Sequence, residues 1–391
     1  MVKVKSWLFT EVRGKVKKAE FRRRKNKVTE LSQKRIPFNP RTEAQQTVRK
    51  AYGQCVEEWN KLSESEKRQW RIVGTLQGIS GYNAFMRECI SEKLGKIWYE
   101  ITIDNSANSN DLTDYQILLE IVNDATFFED CKNEQKYLEF YDSDKATLLN
   151  HFVEEFDTTN KNAKIWIKVP SIPANASKTI YLKINTSRTE DLSNPENVFD
   201  FYDDFEDGII DTNKWQNVLS GVSEADGSLQ LLHSDDYYGG DIFSIQTFNL
   251  PLVLEYKWKP QAGDVNEYIG LKSSTDKTLW VTDNVDYIMW RNYQGTIRTN
   301  TVNNGSNTEN SVKSADANWH VIKITAKEGS VKFYEDGELQ IEHTTNIPDE
   351  PLYITADRVD YSSSSTPTLL DWIRIRKFTE PEPTVSYAKM S

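Results

Sequence analysis

Apolar residues keep different spacings in successive stretches of the chain, and each spacing points to an element. In residues 1–38 they alternate loosely with basic ones, as in Lys15-Val16-Lys17 and then Phe21, Val28 and Leu31, which predicts a β-hairpin. Its turn falls at Lys25-Asn26-Lys27, because Asn tolerates the left-handed backbone that tight turns use. Asn39-Pro40-Arg41-Thr42 then opens a helix, with Thr42 as N-cap and Gln45 three residues on. Val48, Tyr52, Cys55, Val56 and Trp59 follow at helical spacing. Ser63 and Glu66 cap a second helix carrying Trp70 and Val73. Residues 78–81 break it, and Phe85, Met86 and Ile90 mark a third.

After Gly95 the period becomes two. Residues 97–103, 115–121, 137–142, 152–156, 163–170 and 179–184 form short strands with turn signals between them, which predicts an antiparallel sandwich. A second series opens at residues 201–215, FYDDFEDGIIDTNKW, and closes at 369–378, LLDWIRIRKF. Between these, 252–258, 268–271, 319–324 and 331–335 read as strands, with hairpin turns at Asp226-Gly227 and Asp336-Gly337. The predicted fold class is mainly β: two antiparallel β-sandwiches after a basic hairpin and a small three-helix segment. The expected boundaries are 1–38, 39–95, 96–198 and 199–378, with 379–391 as an extended tail.

The wording of these segments resembles known families. WHVIKI, VKFYEDG and LDWIRIRK, opened by FYDDFEDGIIDTNKW, resemble the concanavalin A-like (laminin-G-like, laminarinase-like) sandwich, which makes the second sandwich a jelly roll. YEITIDN, DLTDYQILLEI, LEFYDSD, AKIWIKVPSIPA and KTIYLKI resemble a domain of unknown function often found directly before laminin-G-like modules. That likeness covers residues 97–198, with Ile184-Asn185-Thr186 where the family has Tyr-Gly-Asn. RGKVKKAEFRRRKNK followed by PFNPRTEAQQ resembles the N-terminus of small structural proteins in tailed viruses and proviruses. Trp59, Leu62-Ser63, Glu66-Lys67 and Trp70 are similar to part of a high-mobility-group box, a minor-groove binder. The other reading of Trp59, Leu62 and Trp70 is a lock between two short helices, and this is the one preferred.

Charge sharpens the picture at the N-terminus. Residues 1–50 hold 16 Lys/Arg against four Asp/Glu while the whole chain carries −11, so the remainder carries −23. A basic arm is therefore joined to an acidic body. Arg22, Arg23, Arg24, Lys25 and Lys27 are the candidates for contact with a particle or with nucleic acid; charge alone does not choose between them. Cys55, Cys89 and Cys131 have no metal-ligand or disulfide-framework spacing, so buried free thiols are expected. The N-terminal residues contain no export-type apolar segment, and the chain has no ~20-residue apolar span.

Chemistry is sought first in the acids of residues 201–215. In laminarinase-type sandwiches a structural calcium ties the two chain ends together, and the resemblance carries its ligands to Asp203, Asp204, the carbonyl of Gly227 and Asp371. Calcium accepts such hard oxygen ligands; the alternative is that these acids form turns and one satisfied buried carboxylate. Catalysis in that class needs a Glu-x-Asp-x-x-Glu strand whose alternate residues share a face. The strand at 252–258 carries only Glu255, and Asp283 and Asp286 are three apart, so no enzyme is expected. His151, His233, His320 and His343 are scattered and read as structural. For sugar binding, the aromatic and polar residues outside the obvious strand cores are Tyr237, Tyr238, Trp290, Asn292 and Tyr293, with Asp235 and Asp236 nearby. Asn175, Asn185 and Asn304 stand in Asn-x-Ser/Thr triplets.

The sequence thus reads as a non-enzymatic virion structural protein, capsid-decorating, turret or spike/tail-type, assembled in a host cytoplasm. The arm and helices would anchor it to viral capsid or other virion proteins as a homo-oligomer. The outer sandwich would contact host-surface glycans, and calcium is the expected cofactor. The alternatives are a secreted or cell-surface carbohydrate-binding protein and, third, a glycoside hydrolase.

Overall fold

The computed structural model describes residues 2–4, 14–16, 19–23, 29–33, 42–186, 188–216, 218, 221–232, 240–263, 265–276, 285–359 and 366–390. They fall into two compact units, Met1–Leu94 and Gly95–Ser391. In the first, Val2–Val4, Thr29–Gln33, Ala19–Arg23 and Gly14–Val16 lie side by side in that order as an antiparallel sheet. Ala19–Arg23 and Thr29–Gln33 are the arms of the basic hairpin, with Arg23 opposite Thr29.

The helices of this unit, Glu43–Lys61, Glu64–Leu76 and Gly81–Gly95, begin where capping chemistry puts them. The Thr42 hydroxyl accepts from the Gln45 amide at 3.3 Å. Ser63 and Glu66 form the reciprocal capping box, the Ser63 amide donating to Glu66 at 2.7 Å. Trp59 and Trp70 each pack 5.3 Å from the Phe85 ring, the locking role preferred for them. The cysteine expectation is corrected here. Cys55 and Cys89 are joined in a disulfide that ties the first helix to the third, and Cys131 is the free, buried thiol. Thirty-four residues separate the pair, so only the helix packing brings them together.

The second unit is mainly β, as predicted, and built of antiparallel sheets. Its first sandwich sets the sheet Leu112–Ile121, Asn162–Ile172, His151–Asp157 against the sheet Thr384–Lys389, Lys96–Asp104, Ser177–Asn185, Leu138–Tyr141. Alternate residues such as Ile101, Ile117, Ile165, Ile167 and Leu182 fill the space between them. The stretch expected to be a tail is a strand: Thr384–Lys389 runs antiparallel to Lys96–Asp104, and Val385 and Tyr387 pack on this core.

In the second sandwich, one sheet runs Val222–Ala225, Ser228–Leu231, Thr368–Lys377, Leu252–Lys259, His320–Lys327, Ser330–Glu335, Glu338–His343. Phe201–Asp203 also pairs with Thr368–Lys377, placing Phe201 opposite Ile375, so the opening and closing stretches are neighbours. Asp226 and Gly227 both have positive φ, 53° and 69°, as a tight hairpin turn requires. The facing sheet has seven strands among the described residues: Trp215–Gln216, Gly240–Phe248, Leu352–Val359, Asn266–Lys272, Tyr287–Tyr293, Thr296–Asn303, Ser306–Ser314. Tyr256, Trp258, Ile269, Trp290 and Phe333 pack between the two sheets.

The outer side of the first of these sheets turns toward the first sandwich. Arg374 donates to Glu255 at 2.7 Å and to Glu154 at 3.0 Å, and its guanidinium lies over the Trp166 and Trp372 rings. The seven-stranded sheet therefore has its outer face turned away from that joint.

Candidate functional site

Register brings the expected calcium ligands to one end of Thr368–Lys377, with Asp203 opposite Ile373 and Leu229 opposite Leu370, but the side chains have other partners. Asp203 is buried, accepting from Trp215 Nε1 at 2.6 Å and from the Phe205 amide at 3.2 Å, so its oxygens serve the turn. Burial pushes its carboxyl above the ordinary range, against the pull of the Trp215 bond. Asp371 occupies an irregularity in Thr368–Lys377 and pairs with Lys257 at 2.6 Å. Asp204 is exposed, and Gly227 faces the Glu206 carboxylate. Among the described residues no group of three or more acidic, histidine or cysteine side chains is placed to hold a metal ion. Asp203 thus serves a turn and Asp371 an ion pair.

Two of the expected sugar contacts point the wrong way. Trp290 is fully buried against Phe333 in the sandwich core. Asn292 is equally buried and donates to the Gln261 carbonyl at 2.8 Å and Glu267 at 2.9 Å. Tyr293, on the opposite side of the same strand, faces outward. Tyr237, Tyr238, Asp235, Asp236, Arg24, Lys25 and Lys27 lie outside the described residues; Arg22 and Arg23 lie on the strand Ala19–Arg23. Glu255 is unfit for acid–base work. Burial opposes its charge, but Arg374 and Arg376 more than compensate and hold its pKa down at about 2.

The outer face of the seven-stranded sheet is where polar chemistry gathers. In Tyr287–Tyr293, Ile288, Trp290 and Asn292 point inward, so Tyr287, Met289, Arg291 and Tyr293 point outward by strand alternation. Register carries that face across the sheet. One row runs Asp241, Asp357, Tyr268, Arg291, Arg298, each directly opposite the next. Four steps between strands make this row ~19 Å long. The next row runs Phe243, Thr355, Gly270, Met289, Asn300, Glu309. Gly270 is needed there, since a Cβ on it would lie 2.1 Å from the Ile288 carbonyl oxygen.

The charges on this face divide into two groups. Asp241 and Asp357 sit opposite one another on adjacent strands, both buried, near Lys272. Burial lowers the Lys272 pKa, with Asp357, Asp241 and Asp276 opposing it. Further along, Glu309 takes hydrogen bonds from Arg291, from Arg298 at 2.6 Å and from Asn300 at 3.0 Å. Burial works against the Glu309 charge, but the Asn300 amide and the two guanidinium groups outweigh it and lower its pKa. Asn266 Oδ1, Asn300 Oδ1, Arg291 Nε and Arg298 Nε are buried on this face and take no hydrogen bond among the described residues. The sequence did hold a signal for part of this face, namely Arg291 and Arg298 one place on from the inward Trp290 and Ile297.

Residues 134–218 match the family described as Domain of unknown function (DUF2341). The match runs past residue 198 and takes in Phe201–Asp203 and Trp215–Gln216, strands of the second sandwich. No curated protein matches the chain in sequence. Among solved structures, it is similar to the endo-β-1,3-glucanase of Pyrococcus furiosus at 15% identity and TM-score 0.39, over 46% of this chain and 95% of that one. It is also similar to the β-glucanase of Bacillus licheniformis at 22% identity and TM-score 0.37, over 46% of this chain and 98% of that one. The laminarinase catalytic domain of Thermotoga maritima gives 14% and 0.38, over 46% and 98%. At these identities the likeness is one of fold and assigns no role. The neighbours are glycoside hydrolases, so the expectation that the chain is not an enzyme is withdrawn, with no activity assigned in its place.

Proposed function

We propose that the outer face of the seven-stranded sheet binds a carbohydrate chain laid across its strands. The observation that carries this is the set of buried polar atoms that take no hydrogen bond among the described residues, beside the half-buried Tyr293. A buried donor or acceptor without a partner costs about 1–3 kcal/mol, so a face that keeps several is built to receive hydroxyls from elsewhere. The Tyr293 ring supplies a flat apolar surface on which a sugar C–H face stacks. The test is isothermal titration of the chain against soluble polysaccharides. Tyr293→Ala and Asn300→Ala are each expected to weaken binding about tenfold, the loss of one good contact. Unchanged affinity in both variants would sink the assignment.

A second reading, hydrolysis, is favoured by Asp241 and Asp357. Directly opposed residues on antiparallel strands have Cβ atoms about 4.5–5.5 Å apart. Retaining glycosidases hold their two carboxyl groups about 5–5.5 Å apart. Reducing-sugar release that disappears in Asp357→Asn would establish it; no release from any bound polysaccharide would leave binding alone. The virion setting, the capsid partners and the host-surface origin of the glycan are proposals resting on the first ~90 residues of sequence and on the fold of the second sandwich. Mass spectrometry of purified particles tests them.

A further inference from the structure

We infer that the glycan taken by this face is anionic, with a sulfate or carboxylate group held between Arg291 and Arg298. The inference rests on the carbohydrate reading above and narrows it. Arg291 and Arg298 are directly opposed on neighbouring strands, an arrangement in which like charges repel. A single carboxylate, Glu309, answers both: one of its oxygens takes Arg291 Nη2 and the other takes Arg298 Nη1 at 2.6 Å. Among the described residues one carboxylate thus answers two guanidinium groups, in a chain whose net charge is −11.

The donors left over have the right shape for an oxyanion. A guanidinium presents five N–H groups in a planar fork that suits the oxygens of a carboxylate or sulfate. Nε of Arg291 and Nε of Arg298 are covered and take no hydrogen bond among the described residues, so the donors offered to a ligand are the terminal groups that Glu309 leaves, Nη1 of Arg291 and Nη2 of Arg298. The side chains themselves keep 13% and 28% of their exposure, so the pair can be reached. Tyr293 fixes the two planes, its ring centre 5.1 Å from the Arg291 carbon and 4.7 Å from that of Arg298. Tyr268 lies 5.6 Å from Arg291 on the other side. Glu309 already accepts the Asn300 amide, so its charge is committed to holding the arginines rather than repelling a ligand.

The test compares oligosaccharides of matched length by titration into the full chain: neutral agarose fragments, uronate chains from alginate, and sulfated carrageenan fragments. At least one anionic class is expected to bind about tenfold or more tighter than the neutral one, the value of a charge-assisted hydrogen bond. Arg298→Gln, with its folding checked by circular dichroism, should abolish that preference, so that anionic chains bind no more tightly than the neutral one. The arm in residues 1–50 is basic and unchanged in the variant. A preference that survives in both Arg298→Gln and Arg291→Gln therefore belongs to the arm and overturns the inference. Equal binding of neutral and anionic chains overturns it too, while the carbohydrate reading stands. Absence of binding to every chain removes both. Preference for carrageenan over alginate, or the reverse, tells sulfate from carboxylate.

Discussion

His343 holds a threonine hydroxyl at each ring nitrogen, Thr299 and Thr301, both at 3.0 Å, and is buried on Phe333. His151 is buried against Phe140. Burial lowers the pKa of both rings from 6.5 to about 4. Below pH 6.5 the unfolded chain therefore binds protons that these folded rings refuse. Their stabilisation is complete above pH 6.5 and is lost as pH falls toward 4, by up to about 1.4 kcal/mol per pH unit for each ring. His320 runs the other way. Burial opposes its charge, but Asp316 and Asp336, at 2.8 and 2.7 Å, raise its pKa, so its contribution is present in acid and lost as pH rises. Urea unfolding at pH 7 and pH 5 should show a net loss in acid, about 1 kcal/mol per unit smaller in His343→Gln. An equal slope in that variant would mean the ring is not held neutral.

Residue-scale geometry also decides which aromatics in Tyr287–Tyr293 matter for binding. Trp290→Ala empties the core and is expected to cost about 3–5 kcal/mol of stability, so any loss of glycan binding in it would follow unfolding. Tyr293→Ala should melt within about 1 kcal/mol of the parent while weakening glycan affinity. Thermal melts beside titrations separate the two. Trp290 and Asn292 share the inward side of their strand with Ile288, so alternation turns them to the core and leaves Tyr293 outside.

At the scale of elements, caps and alternation were readable because they are local. Thr42 and Ser63 began helices where their side-chain oxygens could meet backbone amides. Strand positions followed from period-two patterns that survive without knowledge of partners. Pairings separated by long stretches were not readable, and the Cys55–Cys89 bond is one of them. Closing a loop of 34 residues restricts the unfolded chain by about 4 kcal/mol in the chain-entropy account. Reduction should therefore destabilise the helices of Met1–Leu94 by up to that amount. Thiol titration of the oxidised, denatured chain should count one reactive cysteine, Cys131. Three reactive thiols before any reductant is added would show that the bond does not form.

At the scale of the whole Gly95–Ser391 unit, the two sandwiches are sewn together by the order of the chain. The path enters the first sandwich at Lys96, leaves for the second at Phe201, and returns at Thr384 to the edge of the first strand it made. Glu382, just before the returning strand, accepts from Arg376 and from Tyr115 at 3.0 Å, and Arg374 bridges Glu255 and Glu154. Sequence could not show this, because Thr384 and its partner Asp104 are brought together only by the completed fold, and Glu-Pro-Glu-Pro before the strand reads locally as a tail. A bare sheet edge would expose the unpaired backbone groups of Lys96–Asp104. A chain ending at Thr379 should then exchange the amides of Lys96–Asp104 at least about tenfold faster, with the strands around Leu252–Lys259 much less affected. Glu255→Gln tests the joint separately: it leaves Arg374 and Arg376 buried with one counter-charge fewer, at an expected cost of about 3–5 kcal/mol. Because a shared joint loosens both partners, hydrogen exchange in that variant should rise on Asn162–Ile172 as well as on Thr368–Lys377. A rise confined to Thr368–Lys377 would mean that the sandwiches are merely adjacent.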